Sequence, residues 1–200
     1  MAEISTAAAE AEGTESDHYV IDSRASRFTV QAFATGLLAK MGHNPTIGIR
    51  DFSGGMKFNP DKLEANSFRL LIKTASMSVL DDINDRDRRE MERLMSQEVL
   101  EISRFPEVVY DASNISITKM ADALYSATVI GNLTMHGVTN SQKIPVRVAL
   151  FGNMLRASGD FSLAQTDYNI KLVSVAGGAL KLKDELKFSF EIVARKKDQA

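Results

Sequence analysis

From Tyr125 to Phe151 apolar and polar side chains alternate in two runs joined by a polar connection. In the first run Ala127, Val129, Leu133 and Met135 point one way, while Thr128, Asn132 and Thr134 point the other. In the second, Val146, Val148 and Leu150 alternate with Arg147 and Ala149. A period of two belongs to a half-buried strand, so the stretch predicts a β-hairpin with one buried face. Its connection is expected over 136–141, where Gly137, Asn140 and Ser141 suit a reversal. A lone hairpin leaves that apolar face in water, and the rest of the chain must close a sheet over it.

The same alternation predicts strands at 18–22 and 27–33, where Phe28, Val30 and Ala32 share a face. Another extended segment runs over 46–58, with Phe52, Met56 and Phe58 on one side and Gly54-Gly55 as a bend or bulge. Ser67 to Thr74 sets Phe68, Leu70 and Ile72 together, and further strands follow at 108–118, 154–163 and 186–193. The segment 36–45, bracketed by glycines and ended by Pro45, reads as a short helical turn or structured loop. The period changes from Asp82 to Leu100, where Met91, Leu94 and Met95 recur at helical spacing and Arg86, Glu90 and Arg93 make charged neighbours. Asp81, Asp82 and Asn84 are candidate caps for that helix. Residues 172–182 carry Gly177-Gly178 and read as a loop, a short strand or a movable lid. The fold class expected is mainly β: an antiparallel, lipocalin-like extended barrel of about eight strands, with one inserted helix and a short helical turn. Such a barrel is either filled by side chains or holds one small ligand, and periodicity leaves both open.

Composition narrows this picture in a few places. Two hundred residues, 44% of them hydrophobic, suit one domain, expected at 18–197. Residues 1–17 are Ala, Glu, Ser and Thr with little to bury, which predicts a disordered acidic tail. A net charge of -2 gives no reason to expect nucleic acid. The chain has no cysteine, so disulfides and thiolate metal sites are excluded. No apolar run approaches the roughly 20 residues of a membrane-spanning helix, and the N-terminal stretch lacks a basic and apolar signal pattern; a cytoplasmic chain is expected.

Catalytic signatures are missing from the sequence: it has no G-x-S-x-G, no Walker loop, no dinucleotide glycine motif and no H-E-x-x-H. The expectation is therefore a protein that is not an enzyme, with no catalytic residue and no bound metal. His18, His43 and His136 lack metal-motif spacing and are more often structural or exposed. His43 and His136 nonetheless stand at glycine-marked segment ends, where a barrel mouth could set them against a ligand's head group. The cluster Asp85 to Arg89 either clamps an anionic group or pairs within itself; Arg86 and Asp87 read as a structural polar anchor.

Several segments, in order, resemble the YceI-like family. They are Tyr19 to Asp22; Gly42-His43 leading to Ile49 to Gly54; Asn84 to Asp87; Phe105 to Tyr110; Gly131 to Thr139; and Lys183 to Phe188. The resemblance covers residues 18–196 and implies a barrel around a hydrophobic tunnel that takes an isoprenoid chain, as a polyprenyl lipid or isoprenoid quinone. It also implies a carrier with no required cofactor. On that footing Phe28, Phe52, Phe68, Phe161, Phe188 and Phe190, with Met135 and Leu150, become ligand wall; without it they are ordinary core. His43, His136 and Tyr168 are the candidate contacts to a head group. Gln165 replaces a basic residue often found there, and Tyr168-Asn169 replaces an aromatic-glycine pair, so head-group recognition is expected to differ. Relatives often carry an export signal. The alternative reading is a ligand-free barrel that serves as a protein-interaction module, and pairing of exposed strands would give a homodimer.

Overall fold

The computed structural model describes residues 16–35, 44–175 and 180–197. The first half forms β1 (Asp17–Ile21), β2 (Arg27–Gln31), β3 (Ala34–Thr35), β4 (Thr46–Ile49), β5 (Phe52–Phe58), β6 (Ser67–Lys73) and β7 (Met77–Val79). Helix α1 (Asp85–Leu94) runs on through a π turn, Met95–Val99. Four long strands then alternate direction: β8 (Glu107–Ala121), β9 (Leu124–Met135), β10 (Val138–Phe151) and β11 (Met154–Ala164). A 3-10 turn at Gln165–Tyr168, β12 (Ser174–Val175), β13 (Leu180–Leu182) and β14 (Glu185–Lys196) complete the order.

The sheet closes on itself. The circuit β1-β5-β6-β8-β9-β10-β11-β14 returns to β1, an eight-stranded antiparallel barrel without a free edge around that path. Strand β14 divides its partners, pairing with β1 through Ala194 to Lys196 and with β2 through Lys187 to Glu191. From β2 the pairing continues to β4 and β7 as a flap. Thus the extended run expected over 46–58 is two strands, broken at Arg50-Asp51 and not at Gly54-Gly55. Those glycines stay in register with Leu70 and Arg69; at Gly55 an added Cβ would stand 2.7 Å from the Tyr19 carbonyl, so close backbone approach explains it.

Helix α1 starts three residues later than expected, on the Asn84 cap, whose side chain accepts from the Asp87 N–H while its amide donates to the Asp87 carboxylate. Its side chains finish the flap. Arg88 donates to the Val79 and Asp81 carbonyls at 2.6 and 2.8 Å, and Glu92 accepts from the Val79 N–H at 3.0 Å, supplying bonds at an edge strand. Of the expected anchor pair, Asp87 closes the cap with Asn84 while Arg86 is exposed, and it is Arg88 that ties the helix to the flap.

The β9–β10 connection is shorter than expected. It is two residues, His136 (φ 50°) and Gly137 (φ 77°), because β10 begins at Val138. Positive φ at both positions matches the twist of a tight hairpin. Asp17, the last residue of the segment expected to be tail, lies in β1 opposite Phe58, and residues 1–15 of that segment fall outside the described residues. The expected turn at 36–45 and the glycine pair of the proposed lid fall largely outside the described residues; of 172–182, Ser174–Val175 and Leu180–Leu182 pair as strands with each other, and β13 pairs with β3.

Candidate functional site

Strand alternation drives the inner faces together. Phe28 sits edge-on to Phe52, Phe188 and Phe190, with ring centroids 6.0 to 6.3 Å apart, and Phe161 stacks on Phe188 at 4.8 Å. These side chains do not fill the barrel. An inner cavity of about 110 Å³ runs along it, walled by residues such as Leu70, Val129, Leu133, Ile144, Leu155 and Ile192. A second space of about 240 Å³ lies at the helical end, between α1 with its π turn, the 165–168 turn and β13. Met135 and Phe188 belong to both walls, so the two spaces meet there.

Polar groups on these walls are few and engaged elsewhere. On the inner wall Tyr110 turns its hydroxyl to the Val129 and Gln142 carbonyls at 3.2 and 3.0 Å, and burial raises its pKa, so the phenol stays neutral. Lys57 and Ser67, paired across β5 and β6, are the other polar residues on it. At the helical end Gln165 is buried, and its amide donates to the Lys183 carbonyl at 2.8 Å. A space of this volume has room for water, but walls this apolar give water no partners, which favours hydrocarbon.

Of the expected ligand wall, Phe28, Phe68, Met135, Phe161, Phe188 and Phe190 line the cavities. Phe52 is buried against Phe28, and Leu150 packs on the core; neither reaches a cavity wall. His136 is committed to a structural latch. Its Nε2 lies 3.0 Å from the Glu101 carboxylate and its ring 4.3 Å from that of Phe105, which ties the hairpin turn to the loop after the helix. His43 falls outside the described residues. Tyr168 is 1% exposed and leaves its hydroxyl buried without a partner; burial, and secondarily Asp167, raises its pKa. Sequence reasoning missed the helical-end space, because Met91, Leu94 and Met95 read only as the apolar stripe of a helix. Among the described residues no group of three or more His, Asp or Glu side chains is arranged to hold a metal.

A YceI-like domain model matches residues 19–194. The chain belongs to the YceI-like family. Among curated proteins it is similar to a UPF0312 protein of Azotobacter vinelandii, 27% identical over 130 residues, 64% of this chain and 60% of the relative. A UPF0312 protein of Pseudomonas savastanoi is 29% identical over 60% of this chain and 56% of its own length. The chain thus spans less than two-thirds of the length of these curated relatives. Among solved structures, Burkholderia cenocepacia BcnA superposes with a TM-score of 0.64 at 20% identity, over 86% of this chain and 98% of its own. A polyisoprenoid binding domain from Saccharophagus degradans, implicated in plant cell wall breakdown, gives a TM-score of 0.61 at 14% identity, over 92% and 100%. At these identities the likeness is one of fold, and the fold shared is the YceI-like barrel.

Proposed function

We propose that this YceI-like barrel binds an amphipathic isoprenoid lipid, a polyprenyl lipid or isoprenoid quinone, noncovalently in its interior, and sequesters or carries it. The observation that supports this most directly is the pair of apolar spaces meeting at Met135 and Phe188. The polyisoprenoid binding of a structural neighbour supports the same ligand class. An isoprenoid chain needs no hydrogen bonds along its length, only a dry lining of adaptable side chains, which Phe and Met provide. Each five-carbon unit contributes about 4 kcal/mol gross, at about 0.8 kcal/mol per buried CH₂. Ordering of the chain offsets part of this. Binding of this kind proceeds without chemistry and without a cofactor.

Replacing Phe161 by Asp tests the reading, since Phe161 lines the inner cavity and its neighbour on β11, Asp160, faces outward. The folded Phe161→Asp protein is expected to lose most of its isoprenoid loading, while Asp160→Ala keeps it. Equal loading in both, with circular dichroism showing intact barrels, contradicts a ligand held inside.

The interaction-module reading draws on a different feature. Met120, Leu124 and Phe151 are exposed at the ends of adjacent hairpins, with Leu124 paired to Ala149. It predicts an empty barrel that self-associates or captures a partner through those tips, and Phe151→Asp would abolish that association.

A further inference from the structure

Strands β10 and β11 part company halfway up the barrel. They are in register only from Arg147 with Ser158 to Phe151 with Met154, whereas β10 stays paired to β9 from Val138 to Ala149 and β11 to β14 from Met154 to Ala164. Two residues sit where pairing stops. Pro145 has no N–H to offer a ladder, and Gly159 admits the Pro145 carbonyl so closely that any Cβ would collide with it. Above that point side chains span the seam in place of backbone. Gln142 donates to the Ser162 carbonyl at 3.4 Å and Asn140 to the Asp167 carbonyl at 2.7 Å.

At the seam the apolar interior and a polar exterior share wall residues. Val146 and Phe161 face inward yet remain partly exposed. Val146 and Phe190 line the inner cavity and, on their other side, a polar cleft of about 660 Å³. The cleft floor is a cross-strand row in continuous register: Ser126, Arg147, Ser158, Glu191 and Arg27. Asp160, Ser189 and Thr29 form the next row, with the Ser189 hydroxyl donating to Asp160. A closed barrel presents a convex outer wall, so a depression of this size beside an unpaired seam marks a structural departure.

We infer that the β10–β11 seam is a lateral mouth, and that the cleft outside it takes the uncharged, hydrogen-bonding head of the isoprenoid, a quinone carbonyl or a prenol hydroxyl. The chain enters the cavity past Val146 and Phe190, which line both the cavity and the cleft. The inference rests on the isoprenoid-binding reading. The class of head follows from the hydroxyls: Ser126, Ser158, Ser189 and Thr29 line the cleft and can both donate and accept, while Asp160 is already engaged by Lys187 and the Ser189 hydroxyl. The helical-end space is a poorer seat, because its wall is almost wholly apolar and the Gln165 amide N–H already serves Lys183.

Single cysteines test this, since the chain has none of its own. Ser126→Cys lies at the cleft, Lys181→Cys at the helical-end space and Lys57→Cys at an exposed position of β5 beside the opposite end of the inner cavity. Each is labelled with a fluorophore that quinones quench on contact and titrated with a benzoquinone carrying two isoprene units, with loading measured separately by extraction and absorbance. The label at 126 is expected to lose most of its emission, with those at 181 and 57 little changed. Loading accompanied by quenching at 181 or 57 and none at 126 overturns the lateral mouth and leaves isoprenoid binding intact. An unlabelled protein that takes up no quinone overturns both.

Discussion

Arg86 and Arg88 are two residues apart on α1, about 200° around a helix, and that separation decides which of them matters. Arg88 reaches back to two carbonyls at the end of β7, whereas Arg86 faces solvent. Arg88→Ala is expected to destabilise the barrel by about 1.5–3 kcal/mol in urea unfolding, since a buried edge loses charged hydrogen bonds. Arg86→Ala should stay within about 0.5 kcal/mol of the parent, and the reverse order would contradict the assignment. The charge run was legible in the sequence; the helical phase that selects Arg88 was not, because it depends on where β7 ends. Tyr168 offers a second test, through a hydroxyl buried with no partner. Tyr168→Phe removes that polar group and should leave the melting temperature of ligand-free protein unchanged or raised; a clear drop would reveal a hydrogen bond the geometry lacks.

Elements show the same division between local pattern and tertiary context. Alternation located β8, β9, β11 and β14 to within a few residues, because each has one face in the core. It misplaced the start of β10, since Thr139, Asn140 and Ser141 are turn-forming types that here belong to a strand, with Asn140 bridging to Asp167. The real turn rests on Gly137, whose φ is positive and where an added Cβ would stand 2.9 Å from the Phe105 ring. Gly137→Ala should cost about 1–3 kcal/mol of stability; an unchanged urea midpoint would contradict the two-residue turn. The 165–168 turn is tied down differently. Asp184 accepts from the Thr166 hydroxyl and N–H at 2.6 and 2.9 Å, which hold its pKa below the usual carboxylate value. A carboxylate depressed in the folded state stabilises above its unfolded pKa and loses that contribution as pH falls through the folded value. Asp184→Asn should therefore be less stable than the parent at neutral pH, with the gap closing below about pH 4. A gap independent of pH would assign the effect to packing.

Across the whole molecule, strand count and turn spacing foretold a closed barrel, and eight strands do close. Whether it was hollow could not be read from periodicity, because an inward Phe looks the same against a neighbour as against a void. Hollowness emerges only when Phe28, Phe161, Phe188 and Phe190 pack edge-on or stacked around a space none of them fills. The seam was equally hidden: Pro145 and Gly159 are single residues in otherwise regular strands, and their effect arises where the Pro145 carbonyl comes up against Gly159. The central claim, that the interior holds an isoprenoid, is tested most directly by native mass spectrometry of protein purified without detergent, followed by organic extraction of any adduct. The expected result is a stoichiometric noncovalent mass that extracts as a polyprenyl lipid or isoprenoid quinone. A homogeneous apo mass, unchanged after incubation with both ligand classes, would contradict it.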